Sequence, residues 1–419
     1  MKNIFVGRAR GLHEQTPNDV IKKAGYHSLP IFILLVLLIC GLLSEGGQQF
    51  SLLARAFLHG HTYFLEPIGG LGQDPVIYNG HTYWDEGLFP AVTLMPFVAI
   101  FNLFGKLFYQ GYIKWFYLLG IIYLIYCLAK RIGYKHEDRL FMVYAFTLGS
   151  VFIGVASVSS SWLYAQMVCT FLLFWILYEY FNKRRYWILG IISSAVFLTR
   201  FSAIPIIILP LLTIVLDKVD LKHKLRRTLQ LITPLIFAII LSLCYNYARF
   251  GDPLQNGNKY QAIGNVSKLS RDMGIISIKH IPTNLYYSLI GPPTTILKNA
   301  ASWSLKPPFV TNNVFGMSVF ITSPYLLCFF FFKKKSYTRE VIYLLIASAI
   351  SALMVLSYYG VGAQQMGYRY SLDLMPEIFM AFMILYKKTN PEVSLSMKLL
   401  INLLVISNFY FLCSFLNNA

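Results

Sequence analysis

Long apolar runs separated by short polar breaks make up most of this chain. Apolar stretches of about 17–25 residues recur along it without alternating between apolar and polar positions. A helix of that length crosses about 30 Å of hydrocarbon, whereas the strands of a membrane barrel are short and alternate. The pattern therefore predicts an all-α, polytopic membrane protein.

About eleven crossings are predicted, within a range of 10–13. Residues 1–27 are expected to form a cytoplasmic segment and residues 28–419 a single transmembrane domain with two long outer loops, 45–111 and 248–315. Loops of this length in a compact protein are usually functional. The predicted helices are 28–44, 112–129, 140–157, 161–181, 186–199, 201–216, 228–247, 316–332, 341–358, 373–386 and 398–416.

The apolar stretch 88–104 leaves two topologies open. If it crosses the membrane, the basic cluster at 130–139 and every later cluster change sides. If it lies in the outer interface, or dips in and returns, all five basic clusters face the cytoplasm, as the positive-inside rule requires. Its short length and the interruptions at Pro90 and Pro96 favour the second arrangement, in which the first outer loop contains interfacial helices.

The net charge of +18 changes this picture little. The cations lie in short clusters between apolar runs, which indicates topology and attraction to anionic lipid, with no nucleic-acid partner. All six cysteines lie inside apolar runs, so they are interpreted as small hydrophobic residues and not as a disulfide framework or metal site.

Candidate chemistry concentrates in the first outer loop. Residues 56–105 contain no Lys or Arg, yet they hold Asp74, Asp85 and Glu86, and Glu45 follows the first helix at once. Group transfer at a membrane face needs a carboxylate that takes a proton from an acceptor or holds a divalent metal such as Mg²⁺ or Mn²⁺. These four acids are the catalytic candidates, and the alternative for each is a solvated surface position.

Two arginines are candidates for binding an anion. Arg200 lies in an apolar hairpin, where an ionisable group is costly and is by default a functional hypothesis, unless it snorkels to the headgroups. Arg369 lies between Tyr368 and Tyr370, and its planar, doubly donating group suits a phosphate. The alternative for Arg369 is an ion pair with Asp373 at i+4, if a helix has begun there.

Five strings occur in order over most of residues 28–390. They are ARAFLHGHTYFLEP, DPVIYNGHTYWDEGLFPAVTLMPFVAIF, FLTRFSAIPIIILPLL, YNYARFGDPLQNGNKYQ and GYRYSLDLMPEIFMAF. In this order the chain resembles the integral-membrane glycosyltransferases of the GT-C fold, in the branch related to protein-mannosyl and aminoarabinose transferases.

The resemblance implies an inverting glycosyltransferase. Such an enzyme takes a sugar from a polyprenyl-phosphate donor and passes it to a lipid, glycan or protein on the non-cytoplasmic face. It also implies an early Asp as base, but the region after the first helix reads SEGGQQFSLLARAF. Either Glu45 or Asp74 therefore substitutes for that Asp, or this chain is inactive.

Further residues take expected roles from the same resemblance. His81 joins Arg369 and Arg200 as a candidate for the donor phosphate. The aromatic side chains expected near the substrate are Tyr78, Tyr83, Trp84 and Tyr368.

The expected partners are a polyprenyl-phosphate sugar and membrane lipid, in a bacterial plasma (inner) membrane with the active side facing outward. Two other functions stay open: a transporter or flippase for a lipid-linked substrate, and a catalytically inactive scaffold of the same fold. The sequence leaves the sugar, the acceptor, the metal and the oligomeric state undetermined.

Overall fold

A computed structural model describes residues 17–43, 46–66, 74–299 and 303–418, and helices account for most of them. Several 3₁₀ turns and one π-helical turn, Tyr286–Ile290, connect the helices. The α-helices in these ranges are α1 Pro17–Leu43, α2 Gln49–Leu58, α3 Phe89–Asn102, α4 Gly111–Ile132, α5 His136–Thr147, α6 Phe152–Ser157, α7 Ser161–Phe181, α8 Tyr186–Phe197, α9 Ile208–Leu216, α10 Leu221–Phe250, α11 Asn265–Asp272, α12 Ile281–Leu285, α13 Val319–Thr322, α14 Arg339–Leu356, α15 Met375–Thr389 and α16 Leu395–Asn418.

Two antiparallel hairpins lie in the segments predicted as outer loops. Strand β1 (Val76–Tyr78) pairs with β2 (His81–Tyr83), and β3 (Thr294–Leu297) pairs with β4 (Leu305–Thr311). The first hairpin turns at Asn79 and Gly80, which both have positive φ, the conformation that favours Asn-Gly in a two-residue turn. This hairpin holds the chain just after Asp74 and just before Asp85.

The membrane-type character of the fold is confirmed, but eleven single-helix crossings are not. Among the described residues, five helices are long and apolar enough to cross a membrane: α4, α7, α10, α14 and α16. Shorter apolar helices cover residues 27–43, 89–102, 186–197 and 201–216.

Two predicted crossings are broken for local chemical reasons. In 140–157, Thr147 and Ser150 donate hydrogen bonds to the carbonyls of Val143 and Phe146, and α5 ends before α6 begins. Such back-bonding competes with regular helix geometry. In 316–332, Pro324 begins a 3₁₀ stretch, because proline lacks the N–H that an α-helix interior needs.

Helix α7 forms the centre of the bundle. In its most apolar stretch 78% of the residues are buried, against 11% for α10. Helices α4 and α8 pack against α7, and α10 packs on α8 from outside. That last contact needs Gly190, since a Cβ there would lie 2.5 Å from the carbonyl oxygen of Leu231.

Helix α3 corresponds to the ambiguous apolar stretch 88–104. Its 14 residues rise only about 21 Å, less than the hydrocarbon thickness of about 30 Å. It packs on α2 within the same segment. The length therefore agrees with a helix that does not cross the membrane alone.

Candidate active site

A cavity of about 570 Å³ lies between the first predicted outer loop, the α8–α9 connection, α10 and the end of α14. This size falls within the range of typical ligand pockets. Its polar lining comes from Asp85, Glu86, Thr199, Arg200, Ser202, Ser242, Tyr245, Asn246, Arg249, Asn256, Asn258, Tyr358 and Tyr370.

Gly87 brings the acids of the loop to the basic hairpin. A Cβ at Gly87 would lie 2.2 Å from the carbonyl oxygen of Leu198, so only glycine permits this approach. The backbone N–H of Phe89 donates to the same carbonyl at 3.0 Å. As a result Glu86 lies beside Arg200, with 3.8 Å between its Oε2 and the arginine Nη1.

Arg200 is held chiefly by Asp373. Its Nε and Nη2 donate to the two carboxylate oxygens at 2.7 and 3.0 Å. Gln166 of α7 donates to the same carboxylate at 2.7 Å, and the Ser202 hydroxyl also donates to it. Asp373 is fully buried, so this network fixes Arg200 rather than leaving it to snorkel.

Arg369 lies beside this network, and its guanidinium charge has no ionic partner among the described residues. It is 8% exposed, and its guanidinium makes no hydrogen bond or ion pair within the described part of the chain. Arg200 and Arg369 lie 5.5 and 5.2 Å from the centre of the Tyr370 ring, so their guanidinium carbons are at most the sum of these, 10.7 Å, apart. Of the two, Arg369 is the one free to bind an anion.

Asp74 and Arg369 are not among the residues that line this cavity, but the charge of Arg369 acts on Asp74. Burial raises the pKa of Asp74, and the charge of Arg369 partly opposes that rise. Its φ of +46° is uncommon for a residue other than glycine. Asp and Asn adopt this conformation more readily than other side chains, and it recurs at functional sites.

Asp85 and Glu86 are half-buried acids with different surroundings. Desolvation raises the pKa of Asp85 to about 8, and Glu86 adds to the rise. The pKa of Glu86 is also raised by desolvation, which Arg200 and Arg369 oppose. Asp85 is therefore mostly protonated at neutral pH, while Glu86 has cationic support for its charge.

The other predicted residues lie in different places. His81 is exposed and stacks on Tyr63 with ring centres 4.0 Å apart. It does not line the cavity. Glu45 lies outside the described residues.

The predicted aromatic residues pack instead of lining the cavity. Tyr78 and Tyr83 contact Phe250, and fully buried Trp84 contacts Phe50. Tyr368 is buried, and its hydroxyl donates to Asn284 at 3.0 Å. The aromatic side chains that do line the cavity are Phe197, Phe201, Tyr245, Tyr358 and Tyr370.

A second cavity, of about 380 Å³, adjoins the first and is almost wholly apolar. Val355 lines both cavities. Tyr368 and Ser371 line the apolar one and Tyr370 the polar one, so the segment that carries Arg369 runs between them.

The divalent metal ion expected from the sequence stays a prediction. Within the described ranges, no three His, Cys, Asp or Glu side chains are grouped so as to hold one.

Sequence reasoning missed several residues of this site. Asp373 was considered only as a partner of Arg369, and Arg249, Tyr245 and Gln166 were not singled out. The string YNYARFGDP contained a signal, because an arginine near the end of a long apolar helix needs a partner. Nothing local in the sequence pointed to Gln166, which lies within a long apolar helix.

No protein-family model and no curated protein matches the chain. Two solved structures are similar to it. One is archaeal oligosaccharyltransferase AglB from Archaeoglobus fulgidus in complex with an inhibitory peptide and a dolichol-phosphate, with 12% identity and a TM-score of 0.44. The other is the Archaeoglobus fulgidus oligosaccharyltransferase in the apo form, with 13% identity and a TM-score of 0.39.

Each match covers 94% of this chain and 56% of the other, so the chain spans just over half the length of either relative. The residue roles rest on this chain's own geometry.

Proposed function

We propose that the chain is a membrane glycosyltransferase that moves a sugar from a polyprenyl-phosphate-linked donor to an acceptor on the non-cytoplasmic face. One observation carries the proposal: buried Arg369, which has no ionic partner among the described residues, acts electrostatically on Asp74 and lies on the segment between a polar and an apolar cavity. A phosphate attached to an apolar chain needs such a junction, because its charge requires a cation and its tail requires apolar surface.

The chemistry follows from the charges. The acceptor hydroxyl attacks the anomeric carbon, the bond from that carbon to the phosphate oxygen breaks, and polyprenyl phosphate leaves with the bonding electrons. Arg369 stabilises the negative charge that develops on the leaving phosphate. Asp74 takes the acceptor proton as general base. Attack opposite to the leaving group inverts the anomeric centre.

The ionic groups around Arg369 and Asp74 position these two residues. Asp373 holds Arg200, Arg200 holds Glu86, and Glu86 lies in the same loop as Asp74. Asp85, protonated at neutral pH because its pKa is about 8, is a poor base and a good hydrogen-bond donor.

The proposal includes a topology. The N-terminus is inside, the five long helices cross singly, and the shorter apolar segments complete about eleven crossings in composite form. The loops 45–111 and 248–315 then meet on the outer face, in a bacterial plasma membrane.

The experiment uses purified chain in liposomes with a panel of polyprenyl-phosphate sugars and mixed acceptors. The proposal expects one donor to be consumed and polyprenyl phosphate to be released. A flippase would move intact donor between leaflets without cleaving it, and an inactive scaffold would leave every donor unchanged. Either of these results contradicts the proposal.

A further inference from the structure

One wall of the 570 Å³ cavity carries neutral polar groups that the proposed transfer does not use. Helix α10 contributes Ser242, Tyr245 and Asn246, and the loop after it contributes Asn256 and Asn258. Hydroxyl and amide groups of this kind are not needed for a phosphate or for a prenyl chain.

Within the described part of the chain, three buried polar atoms of residues that line this cavity lack a hydrogen-bond partner: Asp85 Oδ1, the Tyr245 hydroxyl and Arg249 Nε. Arg249 is only 5% exposed. Its other two nitrogens are engaged, since Nη1 donates to the Trp84 carbonyl at 2.6 Å and Nη2 donates to Asn246 Oδ1 at 2.7 Å. Buried polar atoms of native proteins normally have partners, so three exceptions at one cavity require an explanation.

The guanidinium of Arg249 is rigidly held. Its central carbon lies 4.0 Å from the centre of the Tyr245 ring and 4.7 Å from that of Phe250. These contacts and the two hydrogen bonds fix the direction of the Nε–H bond. The three atoms therefore offer one fixed donor, one hydroxyl and one carboxyl oxygen to a ligand in the cavity.

A ligand that satisfies this set must donate and accept hydrogen bonds at neighbouring positions, as the hydroxyls of a sugar ring do. Tyr358 and Tyr370 add aromatic surface to the same cavity. We propose that Asp85, Tyr245 and Arg249 form a subsite for the hydroxyl groups of a sugar ring. The inference rests on the proposed function, because it places the sugar that is transferred or the sugar that receives it.

Binding is tested without turnover. Methyl hexopyranosides and methyl pentopyranosides serve as probes for the purified full chain in nanodiscs, followed by saturation-transfer difference NMR. At least one probe is expected to bind, and Tyr245→Phe and Asp85→Ala should each weaken it roughly 5- to 100-fold, the effect of leaving a buried partner unpaired. Tyr247→Phe, an exposed tyrosine two residues along the same helix, should leave binding unchanged.

Binding of no glycoside, or equal binding by the wild type and both variants, would overturn the subsite. A transfer assay then shows whether the sugar ring in the subsite belongs to the donor or to the acceptor. A raised KM for the donor in Tyr245→Phe assigns the subsite to the donor sugar, and a raised KM for the acceptor assigns it to a saccharide acceptor. Unchanged kcat and KM values contradict it.

The two proposals fail differently. Glycoside binding that depends on Tyr245, without turnover of any polyprenyl-phosphate sugar, would contradict the proposed transferase activity and support the subsite. Equal turnover by the wild type and Tyr245→Phe would contradict the subsite and support the transferase activity.

Discussion

Asp74 is the residue on which the proposed chemistry depends most. Asparagine tolerates positive φ well, so Asp74→Asn keeps the backbone conformation and removes only the basic carboxylate. Transfer should fall by about two or more orders of magnitude, the usual contribution of a general base. Asp272→Asn, at an exposed acid in the second long loop, is the matched control and should keep full activity. Undiminished transfer by Asp74→Asn would remove Asp74 from the base role.

Asp85 makes stability depend on pH. Its pKa rises from the ordinary value of 3.8 to about 8 on folding, so the folded chain binds the extra proton between these values. Stability should therefore fall as pH rises from about 4 to about 8. Asp85→Asn, which mimics the protonated form, should flatten this decline in the melting temperature. If the melting temperature of Asp85→Asn fell with pH as steeply as that of the wild type, groups other than Asp85 would cause the decline.

At the scale of elements, the Arg200–Asp373 pair joins three parts of the bundle. It links the α8–α9 connection to the 3₁₀ turn Arg369–Asp373, and Gln166 adds α7. Removing one partner of a buried ion pair leaves the other charge buried without a partner, which typically lowers the free energy of unfolding by about 3–5 kcal/mol. Asp373→Asn should therefore lower the melting temperature markedly.

The exposed pair Lys135–Glu392 is the matched control for Asp373→Asn, because both partners are more than half exposed. Glu392→Gln should cost at most about 1 kcal/mol. Equal losses of stability in the two variants would show that the Arg200–Asp373 pair contributes no more than a surface ion pair.

The elements also show how far the sequence could predict this fold. Residues 161–181 were predicted as a helix and form α7 with the same limits, because a continuous apolar run follows a polar break. The alternative in which Arg369 pairs with Asp373 at i+4 required a helix there, but residues 369–373 form a 3₁₀ turn and α15 begins only at Met375. An i+4 geometry does not exist there, and a partner 173 positions away leaves no local pattern.

At the scale of the whole molecule, the charge distribution predicts which loops face outward. Single cysteines at exposed Ile77 and Ser267 should react with a membrane-impermeant maleimide from outside, whereas those at exposed Lys135 and Lys334 should not. The unsubstituted chain gives the background from its six native cysteines. Outside labelling at Lys135 would show that residues 88–104 cross the membrane and that the proposed topology is wrong.

The central claim is that Arg369 binds a lipid-linked phosphate beside the acid that performs the transfer. Its most direct test is the binding of radiolabelled polyprenyl phosphate to purified chain. The wild type and Asp74→Asn should bind alike, Arg369→Lys should bind more weakly because it loses the two-pronged contact, and Arg369→Ala should lose binding tenfold or more. Arg226→Ala, at an exposed arginine of the basic cluster, should match the wild type. Equal binding by the wild type and Arg369→Ala would contradict the claim.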